Sequence, residues 1–302
     1  MTPKNSFLIA LALTAASAPA AAQEQRSTGC RLRIDTNATS WVIRGHDPYG
    51  GAQPSGTFDL ILTNEGDQPC EVFPVFALDK EGFGLRAASG PHIPYSLLDL
   101  YGDQDATPLG GRAMRKPSWR PVVVNPHGQQ AVRYMLQIPP EAITSDGLFS
   151  QNVFVEAEDR DGRTIAGRRL VLGIDVLPSA IMGLSGAFRR SNGQALVDLG
   201  ELKEGTAKLP LQLHIRSTRA YRLAVESTNR GTLQLAGTDW SIPYQVAIND
   251  KVVPLTGGGS YASPSGMAQR RDNLPISFVI GDPAQKRAGT YSDTLTISIS
   301  VI

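Results

Sequence analysis

Ala288-Gly289-Thr290-Tyr291-Ser292-Asp293-Thr294-Leu295-Thr296-Ile297-Ser298-Ile299-Ser300-Val301-Ile302 carries the pattern on which the fold turns. Tyr291, Leu295, Ile297, Ile299 and Val301 share one parity, Asp293 interrupts it, and the other parity is mostly Ser and Thr. Alternation at period two is the mark of a half-buried strand. A strand this apolar calls for a partner on each side, because an uncovered apolar edge invites aggregation. No further strand follows Ile302 in the sequence, so the expectation is either an edge or a neighbour supplied by another molecule.

Working outward, the composition supports strands throughout. Glycine (30) and proline (21) are plentiful and long helical periodicities are absent, which points to an all-β chain of two ordinary domains. Lys4, the apolar run Phe7 to Ala16 and the small residues Ala20-Ala21-Ala22 read as an export signal over 1–22, too short to span a bilayer. Loss of Lys4 with that leader takes the formal charge from +1 to zero, leaving no global field to recruit nucleic acid or anionic lipid. Arg112, Arg115, Lys116 and Arg120 form a local basic run that reads as a solvated loop. The two cysteines, Cys30 and Cys70, read in an exported chain as a disulfide, contributing about 3–4 kcal/mol through loop-closure entropy.

Strand patterns alternate with turn chemistry along residues 23–178, ending in the clean alternation of Leu170, Leu172, Ile174 and Val176 before Pro178. Residues 179–302 repeat the plan. Ile93-Pro94-Tyr95 recurs as Ile242-Pro243-Tyr244, and Gly147-Leu148-Phe149-Ser150 matches Gly289-Thr290-Tyr291-Ser292 in the same order. The first half continues past its Phe149 strand into the Leu170–Val176 strand and completes a sheet. The second half is one strand short.

The second half resembles the spore coat protein U domain, the subunit fold of archaic (Csu-type) chaperone–usher pili. The residues that carry the resemblance are Asp198-Leu199-Gly200, Ser227-Thr228-Asn229-Arg230-Gly231-Thr232-Leu233, Ile242-Pro243-Tyr244 and Gly289 to Leu295, over about 120 residues, the size of one domain. The first half carries the pattern more faintly, with extra loops. The resemblance implies two immunoglobulin-like β-sandwiches, the second lacking its last strand. It implies a periplasmic pilus chaperone as the first occupant of the groove, an usher, and then the donor strand of the adjacent pilin subunit in trans. One departure stands out: subunit domains of this family often carry a cysteine pair, and the second half has none.

Gln23 to Gly29 is polar, with no alternating apolar side chains, so it is unsuited to donate a strand. An acceptor that cannot donate belongs at the end of a fibre, so the expectation is a tip subunit exported through the periplasm to the cell surface. Its first domain would attach to an abiotic or host surface through loops carrying Trp41, Tyr49, Met114 and Trp119. The alternative is a secreted β-sandwich coat or binding protein that assembles without an usher. Catalysis is not expected: His46, His92, His127 and His214 are scattered, without H-E-x-x-H or G-x-S-x-G spacing, and no metal or cofactor site is read.

Overall fold

The computed structural model describes residues 29–302 except 37, 80, 81, 88–91, 208, 267 and 268, so the expected export signal over 1–22 lies outside the described residues. The first half holds β1 (Leu32–Thr36), β2 (Ser40–His46), β3 (Ser55–Asn64), β4 (Cys70–Ala77), β5 (Ser96–Asp99), β6 (Gln104–Asp105), β7 (Val122–Val124), β8 (Gln129–Gln137), β9 (Gly147–Glu158) and β10 (Thr164–Val176). Two short 3-10 turns, Arg112–Met114 and Pro140–Ala142, complete it. The second half holds β11 (Ala180–Gly186), β12 (Arg189–Ser191), β13 (Gln194–Leu196), β14 (Gly205–Thr206), β15 (Leu211–Ser217), β16 (Tyr221–Ser227) and β17 (Thr232–Leu235). It continues with β18 (Ser241–Ile248), β19 (Lys251–Val253), β20 (Gly259–Ala262), β21 (Arg270–Ile280), β22 (Tyr291–Ser292) and β23 (Leu295–Val301). No helix among the described residues is long and apolar enough to cross a membrane.

Both halves are immunoglobulin-like β-sandwiches. In the first, the sheet β1-β3-β8-β5-β6 packs on β2-β10-β9-β4-β7. Alternation along the long strands explains the layering: Phe58, Leu60 and Leu62 of β3, Val132, Tyr134 and Leu136 of β8, and Val153, Val155 and Ala157 of β9 are all buried. The Cys30–Cys70 disulfide joins the approach to β1, in one sheet, to the first residue of β4, in the other.

The second half uses the same layout with one sheet cut short. Its larger sheet runs β11-β15-β21-β18-β17-β22, while the opposing sheet is only β20-β16-β23. Its buried core, Leu211 to Ile280, is a cluster separate from that of the first half, Ile34 to Val176. The repeat read in the sequence holds at the level of pairing. Leu85 pairs with Ile93 and Arg86 with Ser150 in the first half; Leu233 pairs with Ile242 and Gln234 with Ser292 in the second.

Pro178 is held from both sides: the Leu177 N–H donates to the His46 carbonyl at 2.8 Å and the Ser179 N–H to Thr218 Oγ1 at 3.1 Å. Arg219 grips Asp146 with both ends of its guanidinium, Nε donating to Oδ1 at 2.9 Å and Nη2 to Oδ2. The Asp146 side chain is 2% exposed, so water screens this pair far less than a surface ion pair.

Candidate strand-acceptor site

β23 pairs antiparallel with β16 from Tyr221↔Val301 to Ser227↔Leu295. Its other edge has no partner among the described residues. Leu295, Ile297, Ile299 and Val301 point inward, and each is only half-buried, while Tyr221, Leu223 and Val225 on the neighbouring β16 are fully buried. The equivalent strand of the first half shows what coverage does. There β10 lies antiparallel on β9, β2 lies parallel on β10, and the inward residues Val153, Val155 and Ala157 reach 0% exposure.

The facing side of the opening is β11, the edge strand of the larger sheet. Met182 and Leu184 of β11, with Phe188, Val197 and Leu199 beyond it, are half-buried against the same core as Leu295, Ile297 and Ile299. Among the described residues neither β11 nor β23 has a strand on its outer edge, which leaves an apolar seam between them. An edge that is apolar on its inner face and unpaired along its backbone is suited to taking up a strand.

The sequence pattern suggested one continuous strand through the terminal stretch. The structure divides it. Tyr291 belongs to β22 and pairs with Leu235 in the larger sheet, its hydroxyl donating to the Arg287 carbonyl at 2.7 Å, whereas Leu295, Ile297, Ile299 and Val301 lie on β23 in the smaller sheet. Asp293 makes the crossing. Oδ2 accepts from the hydroxyls of Ser227 at 2.5 Å and Tyr244 at 2.6 Å. Oδ1 accepts from the N–H groups of Asn229 at 2.9 Å and Thr294 at 2.7 Å. Four donors fill the carboxylate, which explains a charged residue on an otherwise apolar parity. Burial first, then the hydrogen bond to Asp293, pushes the Tyr244 phenol well above its usual range.

The four loop candidates do not come together. Trp41 sits on β2 and stacks on Phe58 at 5.6 Å, part of a ring chain that continues to Tyr134 at 5.7 Å. Tyr49 lies at the junction of the halves, its ring under the Arg216 guanidinium at 5.2 Å. Met114 (59% exposed) and Trp119 (70%) share the segment between β6 and β7. Trp119 is held while its ring faces water: its indole N–H donates to the Gly102 carbonyl and its amide to Gln104 Oε1, both at 2.9 Å. Leu100 and Leu109, exposed beside the same segment, escaped the sequence reading because single leucines carry no distinctive spacing.

The basic run of that segment is not simply solvated. Arg112 pairs with Glu156 at 3.1 Å and Glu158 at 3.4 Å, Arg115 with Glu158 at 2.7 Å, and Lys116 with Asp105 at 2.6 Å. Glu158 is almost fully buried, so these contacts anchor the segment to β9.

The four histidines are apart, as their spacing indicated. His46 is buried, and desolvation, opposed by Asp47, lowers its pKa. His214 is exposed, because it takes the outward parity of β15. Its Nδ1 lies 2.6 Å from Asn273 Oδ1 and its Nε2 2.5 Å from Ser185 Oγ. The order is that of a nucleophile, a base and an orienting group, but the chain lies across the solvent face of a sheet. It reads as cross-strand hydrogen bonding. No group of three or more His, Cys, Asp or Glu among the described residues could hold a metal.

No family model matches the sequence, and no curated protein matches it significantly. Among solved structures, the chain is similar to a chaperone–tip adhesion subunit pre-assembly complex from the archaic chaperone–usher Csu pili of Acinetobacter baumannii. That match has 16% identity and a TM-score of 0.47, covering 88% of this chain and 99% of the other. It is similar to the CupB6 tip adhesin of Pseudomonas aeruginosa at 12% identity and a TM-score of 0.40, over 89% and 93% of the two chains. It is also similar to the CfaE adhesin of enterotoxigenic E. coli at 10% identity and a TM-score of 0.30, over 88% and 93%.

Proposed function

We propose that this chain is the tip subunit of a chaperone–usher pilus: the second sandwich accepts a strand from the next subunit and the first presents the attachment surface. The observation that carries the reading is the open edge of β23, where Leu295, Ile297 and Ile299 reach the core yet remain half-exposed. The resemblance of residues 198–200, 227–233, 242–244 and 289–295 to the spore coat protein U domain supports it, as does the polar character of Gln23 to Gly29. A periplasmic chaperone occupies the seam first and the usher exchanges it for the donor strand. Met114 and Trp119, the two exposed candidates, are the side chains assigned to contact with an abiotic or host surface. The role is binding and assembly rather than catalysis, with no cofactor and no nucleic acid involved.

The test compares the mature chain alone with the same chain carrying, after Ile302, the N-terminal extension of a candidate shaft pilin. A large rise in melting temperature, or rescue from aggregation, supports an acceptor. Equal melts from a folded monomer would favour a self-contained secreted binding protein.

A further inference from the structure

We infer that the strand completing the second sandwich follows the side-chain order of β10: bulky apolar residues toward its C-terminal end, small or amphipathic ones toward its N-terminal end. The inference rests on the reading of β23 as an acceptor edge and names what that edge accepts.

The paired repeat supplies the register. Arg86↔Ser150 and Gln234↔Ser292 are the same contact in the two halves, so Ser150 corresponds to Ser292. Counting on, Phe149 corresponds to Tyr291, Gln151 to Asp293, Val153 to Leu295, Val155 to Ile297 and Ala157 to Ile299. The inner strand that covers β9 is known. Ile174 lies opposite Phe149, Leu172 opposite Gln151, Leu170 opposite Val153, Arg168 opposite Val155 and Ala166 opposite Ala157. Leu170, Leu172 and Ile174 are fully buried, whereas the Arg168 guanidinium leaves the core to reach the Ile34 carbonyl at 3.2 Å.

Transferred to the second half, this puts Ile opposite Tyr291 and Leu opposite both Asp293 and Leu295. Opposite Ile297 and Ile299 little bulk is needed. These two side chains are larger than their counterparts Val155 and Ala157, so that end of the seam is already fuller, and overfilling a packed core is destabilising. Direction agrees. A strand antiparallel to β23, as β10 is to β9, begins beside Val301 and the Asp146–Arg219 contact and leaves beside Leu295, away from the first sandwich. A parallel strand would have to continue into that contact.

The experiment uses the full mature chain, extended after Ile302 by a short Gly/Ser linker and one of three strands. The first is the β10 sequence, Thr164 to Val176. The second is the same thirteen residues in reversed order, which keeps the alternation but moves the bulk to the other end. The third is a uniform Ile/Thr alternation. Melting is followed together with hydrogen exchange at the Leu295–Val301 amides. The expected result is a rise of about 10 °C in the second-half transition with the β10 order, on the scale of a few ordinary core contacts, and at least half that gain lost on reversal. Equal gain from the reversed or uniform strand would overturn the side-chain order while leaving the acceptor edge intact. No gain and no added protection from any of the three would overturn the acceptor reading itself.

Discussion

The Tyr244 hydroxyl donates to Asp293 Oδ2 at 2.6 Å, joining the Ile-Pro-Tyr motif on β18 to the point where the last segment of the chain passes from one sheet to the other. In the first half the matching tyrosine, Tyr95, has a buried hydroxyl with no partner among the described residues, and Gln151 stands where Asp293 does. Gln151 instead fixes a neighbouring loop, accepting from the Gly84 amide at 3.2 Å and donating to the Gly82 carbonyl at 2.7 Å.

Asp293→Ala should therefore cost more than an ordinary surface change. It strands the hydroxyls of Ser227 and Tyr244 and two backbone amides, and the loss of a charge-assisted node of this kind is on the order of 3 kcal/mol. Chemical denaturation should show the loss in the second-half transition alone. Gln151→Ala should show it in the first.

Alkaline pH offers a separate check. Tyr221 and Tyr244 hold their protons well above the usual phenol range, chiefly through burial. Both folded values lie above the unfolded one, so the stability they contribute is complete below a pH of about 10, the unfolded phenol value, and falls as pH rises further. The unfolded chain then releases protons that the folded chain retains. Tyr244→Phe should flatten part of the decline in a melting-temperature series above pH 10, and an unchanged slope would contradict the assignment.

Asp146→Ala leaves the Arg219 guanidinium, itself largely buried, without its carboxylate. Removing one member of such a pair costs about 3–5 kcal/mol. Because the pair joins the two sandwiches, the expected readout is twofold: faster proteolysis near Leu177–Ser179 and a wider distribution of shapes in small-angle scattering. The conservative Arg219→Lys should recover only part, since a lysine cannot reproduce the two-pronged contact.

Replacing both Cys30 and Cys70 by serine should lower the stability of the first half by about 4 kcal/mol, the loop-closure value for a bond spanning a separation of 40 residues, and leave the second-half melt in place.

Trp119→Ala should leave the melting temperature nearly unchanged, since most of the ring already faces water, and should lower retention on an apolar surface. Trp41→Ala should do the reverse, destabilising the first sandwich by about 3 kcal/mol through loss of its stack on Phe58.

The sequence showed most where period-two alternation was strong. The β10 pattern Leu170 to Val176, the duplicated Ile-Pro-Tyr and the cysteine pair all read directly, because each is local or rests on compartment chemistry. Asp293 was visible only as a broken parity: three of its four donors come from residues 227, 229 and 244, and local periodicity cannot report contacts that distant. Trp41 and Trp119 looked alike as aromatics in or beside loops. What separates them is the partner and not its distance along the chain: Trp41 stacks on the ring of Phe58, whereas the indole N–H of Trp119 reaches the Gly102 carbonyl and leaves its ring facing water.

The seven consecutive pairs between β16 and β23, with Arg219 two residues ahead of Tyr221, have a mechanical consequence. Tension applied along the strand axis loads the whole ladder in shear, so its hydrogen bonds share the force and must fail together instead of peeling one by one. Force leaving β16 at Tyr221 reaches the Asp146 carboxylate almost at once. A pull on the second sandwich is thus delivered to the first through a two-pronged ionic contact, with Pro178 relieved of the strain a bare tether would bear.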